Sequence, residues 1–120
     1  LKESYEHSEV CVKMKRIIQS YKKTDKSNER FDEEDWKQLI AETDIRWNDI
    51  TIRLAAKYPL SQDEIYLCCL HLTDIPTSHF RYLMECSRDA IYKKGKRILE
   101  QKMKCTDKSI SLREFLEQFL

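Results

Sequence analysis

Apolar residues recur every three or four positions along most of this chain, and that period is typical of amphipathic helices. The first apolar stripe consists of Val10, Met14, Ile17 and Tyr21, in a helix predicted over residues 4–24. Its spacing is that of a coiled-coil seam, although it lasts for only about two heptads. The stripe predicts either a seam that pairs two subunits or a face that docks on the rest of the domain.

Six further helices follow, and most of them have a start signal in the sequence. Acidic residues favour a helix start, and a serine followed three residues later by a glutamate forms a capping box. The predicted starts lie near Asp32, Asp44, Ser61, Pro76, Ser87 and Ser111. The polar segment 22–30 predicts a linker. The chain therefore divides into residues 1–30, an amphipathic helix with its linker, and a helical domain over residues 31–120.

Composition favours an all-α fold with short connections, because the 120 residues include one glycine and two prolines. With a single glycine, the chain cannot form the glycine-rich loops that bind nucleotide phosphates. The sequence therefore argues against a nucleotide-dependent enzyme. The sequence also shows no arrangement of residues that would support catalysis. We expect no enzymatic activity, no cofactor and no small-molecule substrate.

The five cysteines, at positions 11, 68, 69, 86 and 105, form no CxxC motif and predict reduced thiols in a cytoplasmic protein. His71 and His79, taken with Cys68 or Cys86, do not have the spacing of a zinc site. The sequence has no run of about 18 apolar residues, so we expect no membrane contact by this fragment. The chain begins at Leu1 rather than Met. It is expected to be a piece of a longer protein, and to form the cytoplasmic end if that protein is membrane-anchored.

The net charge of +1 conceals two helices of opposite charge. Residues 31–50 contain seven acidic and two basic side chains, whereas residues 88–104 contain seven basic and two acidic ones. The local charges are therefore −5 and +5. Local patches of this kind steer charged ligands over about a Debye length, roughly 10 Å at 0.1 M salt.

Three consecutive helices over residues 60–103 have the layout of a helix-turn-helix, in which a helix packed on two others enters the major groove. The fourth helix is predicted to face inward through Ile65, Cys68, Cys69 and Leu72. The sixth helix, over residues 87–103, is predicted to bury Ile91, Gly95 and Ile98. A glycine inside a helix is unfavourable, and this one predicts the close approach of a neighbouring helix.

The other side of the sixth helix is basic, which suits contacts with phosphates and base edges. It carries Asp89, Lys93, Lys96, Arg97, Glu100 and Lys104, with Lys94 and Tyr92 at its two edges. A solvated surface helix is the alternative interpretation of this charge. The three-helix layout favours DNA binding instead.

Several short motifs occur in a fixed order from residue 60 onward. They are Leu60-Ser61 with Glu64, Ile75-Pro76-Thr77-Ser78-His79-Phe80, Ser87-Arg88-Asp89-Ala90-Ile91-Tyr92-Lys93, and Ile98-Leu99. Together they resemble the C-terminal helix-turn-helix of LuxR-type response regulators. With Glu34-Asp35-Trp36-Lys37, Tyr58-Pro59, Leu67-Cys68 and a terminal Phe-Leu motif, residues 31–120 are similar to bacterial regulators that place tetratricopeptide repeats ahead of this region.

The resemblance implies a recognition helix over residues 87–103 and a role in transcription regulation. The family's base and phosphate contacts would fall on Arg88, Asp89, Tyr92, Lys93, Lys96 and Arg97, and the charge pattern adds Lys94. The chain departs from the family at Asp74, where a glycine is usual, and at Arg81, where a small residue is usual. The bulk of Arg81 puts the packing of the fifth helix in question.

The sequence therefore predicts the DNA-binding output domain of a bacterial transcriptional regulator, with double-stranded DNA as its partner. A homodimer would contact two half-sites, and residues Val10, Met14, Ile17 and Tyr21 would help to pair its subunits. The alternative is a protein-interaction module that has a helix-turn-helix shape but does not bind DNA. Asp89 and Glu100 favour that alternative, because carboxylates repel phosphates.

Overall fold

The computed structural model describes residues 8–119, and this range contains helices and connections but no β-strand. The helices are α1 (Glu9–Thr24), α2 (Glu33–Arg46), α3 (Ile50–Lys57), α4 (Gln62–His71), α5 (Phe80–Met84), α6 (Arg88–Arg97) and α7 (Leu112–Gln118). A 3-10 helix (Thr77–His79) leads into α5, and a π-helix (Ile98–Lys102) continues α6. The predicted all-α class is confirmed. Residues 4–7 of the first predicted helix lie outside the described range.

Helix α4 lies at the centre of the fold and contacts α2, α3, α6 and α7. Five consecutive residues are buried in it, namely Tyr66, Leu67, Cys68, Cys69 and Leu70. Ile65, which the apolar pattern assigns to the inward side, is only half-buried. The prediction of a single inward face is wrong, because the surrounding helices cover α4 from several directions.

Helix α1 packs on α2 and α5 through its apolar stripe. Val10, Met14 and Ile17 are almost completely buried inside the same chain. Tyr21 stacks on Tyr82 in the middle of α5, with the ring centroids 4.9 Å apart. The structure therefore shows the stripe docked on the rest of the domain. The predicted pairing of subunits through these four residues is corrected accordingly, because burial leaves them little surface for a second copy.

The junction between α2 and α3 differs from the sequence prediction. The third helix is predicted to begin near Asp44, but α2 continues to Arg46 and α3 begins at Ile50. Asn48 and Asp49 form the bend, with left-handed φ angles of 54° and 57°. The Asp44 carboxylate accepts hydrogen bonds from the Thr51 amide at 2.8 Å and the Thr51 hydroxyl at 2.6 Å, so it holds α3 in place from within α2.

Helices α4 and α6 begin where the sequence predicts. Ser61 and Glu64 form the expected capping box at α4. At α6, the Ser87 hydroxyl accepts a hydrogen bond from the Ala90 amide at 3.0 Å. Side chains of this kind satisfy amide groups that the first turn of a helix leaves without backbone partners.

The two residues at which the chain departs from the LuxR-type pattern both lie at the surface. The Arg81 guanidinium packs over the ring of Tyr82, 4.8 Å from its centroid, and donates a hydrogen bond to the hydroxyl of that tyrosine. Asp74 lies in the turn after α4. Because the Arg81 side chain points outward, its bulk does not disturb the packing of α5.

Candidate nucleic-acid interface

Helix α6 packs on α4 and α5 through its apolar side. Ile91 and Ile98, at its start and just beyond its end, are buried in the core. This packing fixes the orientation of the helix and leaves its opposite side to solvent. The predicted division of α6 into a buried and an exposed side is confirmed.

The exposed side forms a continuous, mainly basic surface, which we call the outer surface of α6. Its six residues are Arg88, Asp89, Tyr92, Lys93, Lys96 and Arg97, all of them exposed. The ammonium of Lys93 pairs with the Asp89 carboxylate at 3.0 Å. An exposed pair of this kind contributes only about 0–1 kcal/mol, so it can be exchanged for another contact. The other three cations make no ion pair within residues 8–119.

Two further lysines of this segment face the core side and bind the start of α4. The ammonium of Lys94 lies 3.7 Å from the Asp63 carboxylate. Lys102 donates a hydrogen bond to the Pro59 carbonyl at 2.7 Å, and its ammonium lies 3.3 Å from Glu64. Lys94, which the charge pattern assigns to DNA contact, is therefore not part of the outer surface. Its side chain is 30% exposed, against 74% for Lys93.

Glu64 is a buried carboxylate whose charge is stabilised by its neighbours. Burial alone would raise its pKa, but hydrogen bonds from the Ser61 amide and the Lys102 ammonium outweigh that effect and lower the pKa below its ordinary value. The side chain is only 6% exposed. The contact with Lys102 therefore joins the end of the π-helix to the first turn of α4.

The π-helix shortens the basic side of α6. The Met103 amide donates a hydrogen bond to the Ile98 carbonyl at 2.9 Å, five residues earlier, so the turn is wider than that of an α-helix. Lys104, which the sequence assigns to the basic side, lies beyond the helix with a left-handed φ of 57°. The outer surface consequently ends near Arg97.

A groove of about 400 Å³ lies between the start of α6 and the 3-10 helix. Thr77 and Ser78 line one side of it, and Arg88, Asp89 and Tyr92 line the other. Hydroxyl and guanidinium groups are common donors to DNA phosphates. Neither the charge pattern nor the family resemblance predicts a contact for Thr77 and Ser78, although both lie within the motif that resembles the LuxR-type family.

A larger groove, of about 730 Å³, opens on the other flank of α6, and Gly95 and His71 lie in its wall. A methyl group added at Gly95 would lie 4.0 Å from the Leu67 and His71 side chains, which is an ordinary contact distance. The predicted need for glycine at this position is therefore wrong. Burial, and secondarily the nearby Arg113, lowers the pKa of His71 to about 4.

The structure gives no support for a metal site among residues 8–119, and it buries the adjacent thiols of Cys68 and Cys69. No group of three or more His, Cys, Asp and Glu side chains is close enough to hold a metal ion in this range. Cys68 and Cys69 are buried, and burial raises the pKa of the Cys69 thiol to about 12. Because the thiolate is the reactive form, neither is suited to nucleophilic chemistry.

Within the part of the chain that the structure describes, no helix has the length and apolarity needed to cross a membrane. Comparisons with protein-family models, with curated proteins and with solved structures find no match to this chain. The functional assignment therefore rests on the geometry and charge of the residues themselves.

Proposed function

We propose that this chain is the DNA-binding output domain of a bacterial transcriptional regulator, and that the outer surface of α6 enters the major groove of double-stranded DNA. The observation that carries the proposal is the concentration of exposed cations on one side of a helix whose other side packs on α4 and α5. Arg88, Lys96 and Arg97 make no ion pair among the described residues, so they can bind phosphates without breaking an internal contact. The resemblance of residues 60–103 to the LuxR-type helix-turn-helix supports the same assignment.

The outer surface offers distinct groups for phosphates and for bases. Arg88, beside the hydroxyls of Thr77 and Ser78, is suited to a backbone phosphate. Lys96 and Arg97 have the length and the donors to reach guanine edges. The exposed ring of Tyr92 suits apolar contact with a thymine methyl group.

A homodimer is part of the proposal, because one helix of this length buries too little surface for tight and specific binding. Two copies on two half-sites would double the contact. Their pairing would need a surface other than the buried stripe of α1. The proposal also places the protein in the cytoplasm, where bacterial DNA lies.

The test is a titration of the chain into a fluorescent mixed-sequence duplex, followed by anisotropy at about 50 and 200 mM salt. The wild-type chain is expected to bind in the micromolar range and to lose most of its affinity at the higher salt. The K93E/R97E variant is expected to bind about 100-fold more weakly, because it loses two cations and gains two repulsive charges. Its helical circular dichroism spectrum should be unchanged, since both side chains are exposed.

Two neighbouring residues provide a matched control. K93Q should make the slope of log affinity against log salt shallower by about 1, which is the value for one phosphate contact. K94Q makes the same change in charge but should leave the slope nearly unchanged, because that ammonium faces Asp63. Equal effects of the two variants would contradict the assignment of the outer surface. A folded wild-type chain that fails to bind at 50 mM salt would contradict DNA binding itself.

A protein-interaction module is the second candidate, and the carboxylates of Asp89 and Glu100 favour it. Both are exposed on α6 or its π-helical continuation, where they would repel phosphates. In that case the basic surface binds an acidic protein partner. Binding would then depend less steeply on salt, and an excess of unlabelled duplex would not compete.

A further inference from the structure

A second pair of exposed cations lies on α1, away from the outer surface of α6. Lys15 and Lys22 are separated by about two helical turns, so they share one side of the helix, at the edge of its buried stripe. Neither makes an ion pair within the described residues. Lys13 and Arg16 differ, because they bind Asp35 and Glu29 respectively.

This side of α1 faces the connection between α4 and α5. A groove of about 380 Å³ separates them, with Lys15 and Lys22 on one side and Pro76 and His79 on the other. One carboxylate, Asp74, also lines the groove. The two lysine charges outnumber the single carboxylate charge, so the groove has a net positive charge.

The connection also borders the candidate nucleic-acid interface. Thr77 and Ser78, between Pro76 and His79, line the groove beside Arg88 at the start of α6. The segment 76–79 therefore has cations on both of its flanks, from α1 on one side and from α6 on the other.

Two of the cations in this region act on the same imidazole. Burial lowers the pKa of His79, and the nearby charges of Lys22 and Arg81 lower it further. Lys22 of α1 lines the same groove as His79, and Arg81 of α5 follows that histidine by two residues. The basic surface of α1 is continuous with α5, rather than isolated on the far side of the fold.

We propose that Lys15 and Lys22 form a second phosphate-binding surface, which contacts the DNA backbone next to the stretch held by α6. This inference rests on the proposed function of α6. Hydroxyls and cations continue along the surface from α1 through residues 77–81 to Arg88. Backbone phosphates also recur along a duplex, so DNA matches this extended row of donors better than an acidic protein segment does. Contacts to phosphates position a protein without adding base preference.

The experiment compares two duplexes, one of about one helical turn, roughly 10 base pairs, and one of about two turns. The K15Q/K22Q variant is measured beside the wild-type chain by anisotropy over a series of salt concentrations. K37Q/K57Q is the control with the same change in charge, because these lysines lie on α2 and α3, outside both cationic surfaces. Circular dichroism confirms that each variant is folded.

On the longer duplex, K15Q/K22Q is expected to lower the log–log salt slope by about 2 and the affinity at 100 mM salt by about tenfold. The control is expected to match the wild-type chain. On the shorter duplex the two lysines reach past the DNA end, so all three proteins should have similar slopes.

A K15Q/K22Q slope equal to that of the wild-type chain on the longer duplex would overturn the inference and leave the function of α6 intact. The same loss in K37Q/K57Q would also overturn it, since the effect would then follow net charge alone. If the folded wild-type chain binds neither duplex, the proposed function fails and this inference fails with it.

Discussion

The lysines of α6 and its π-helical continuation fall into two groups that the sequence alone does not separate. Lys93 and Lys96 lie on the outer surface and are exposed. Lys94 and Lys102 face the start of α4, where they bind Asp63 and Glu64. The same residue type, one position apart, is therefore a candidate ligand for DNA in one case and a structural contact in the other.

The difference shows why a count of charges overstates an interface. The +5 of residues 88–104 includes two lysines that are already paired across the fold and one, Lys104, that lies beyond the helix. What decides the role of each cation is the presence of a carboxylate on the neighbouring helix. Substitutions on the side of α6 that faces α4, which we call its inner side, should therefore change stability. Substitutions on the outer surface should change DNA affinity.

The largest effect on the inner side is expected from His71, which packs beside Gly95. Its pKa of about 4 lies below the ordinary value of 6.5, so the unfolded state takes up the proton first as the pH falls. Stability contributed by the neutral imidazole is therefore complete above pH 6.5 and is lost between pH 6.5 and about 4. The loss should reach about 3 kcal/mol in the free energy of unfolding.

Urea denaturation of the wild-type chain and of H71L at several pH values tests this expectation. The difference between the two proteins isolates the histidine from the carboxylates, which titrate in both. The stability of H71L should fall much less over this range. Parallel curves for the two proteins would show that the imidazole is not held neutral by the fold.

An intermediate effect is expected for Lys102. K102M removes the ammonium that lies 3.3 Å from the buried Glu64 carboxylate, and only the Ser61 amide then remains as a strong donor to it. We expect a loss of about 2 kcal/mol in the free energy of unfolding at pH 7, because a buried charge loses its partner.

The paired variant E64Q/K102M distinguishes this mechanism from a loss of packing. Removing both charges should restore part of the stability, since no unpaired carboxylate remains. A double variant that is less stable than K102M by the full effect of E64Q would contradict the coupling. DNA affinity per folded molecule should stay at the wild-type value in both.

The smallest effect, and one of opposite sign, is expected for G95A. Alanine has a higher helix propensity than glycine by about 1 kcal/mol, and the added methyl group meets its neighbours at 4.0 Å. Thermal unfolding should therefore show a gain of about 0.5–1 kcal/mol. A destabilised variant would indicate that α6 lies closer to α4 than these distances allow.

Local signals predicted much of the fold. The capping boxes at Ser61 and Ser111 mark the starts of α4 and α7, and Ser87 caps α6 as expected. These signals act within a few residues, so a single sequence displays them. The exposed residues of α6 were predictable for the same reason, because helical periodicity alone separates them from Ile91 and Ile98.

What the sequence did not predict depends on partners far along the chain. Lys102 binds Pro59, 43 residues earlier in the chain, and the nearby Glu64, and no local pattern indicates such contacts. The bend before α3 contains no glycine or proline, and Asn48 and Asp49, which tolerate the left-handed conformation, are its only local signal. The surface of Lys15 and Lys22 has no local signal either, because its groove forms only where α1 packs beside the connection after α4.

Because α4 lies at the centre of the fold, its two cysteines can report how often the folded protein opens. Cys68 and Cys69 are shielded by the helices around them, whereas Cys86 and Cys105 are partly exposed. An alkylating reagent should therefore modify the latter two in the native protein and reach the former two only when the core opens. The rate at which Cys68 and Cys69 are labelled would then report how often the core around α4 opens, without any denaturant.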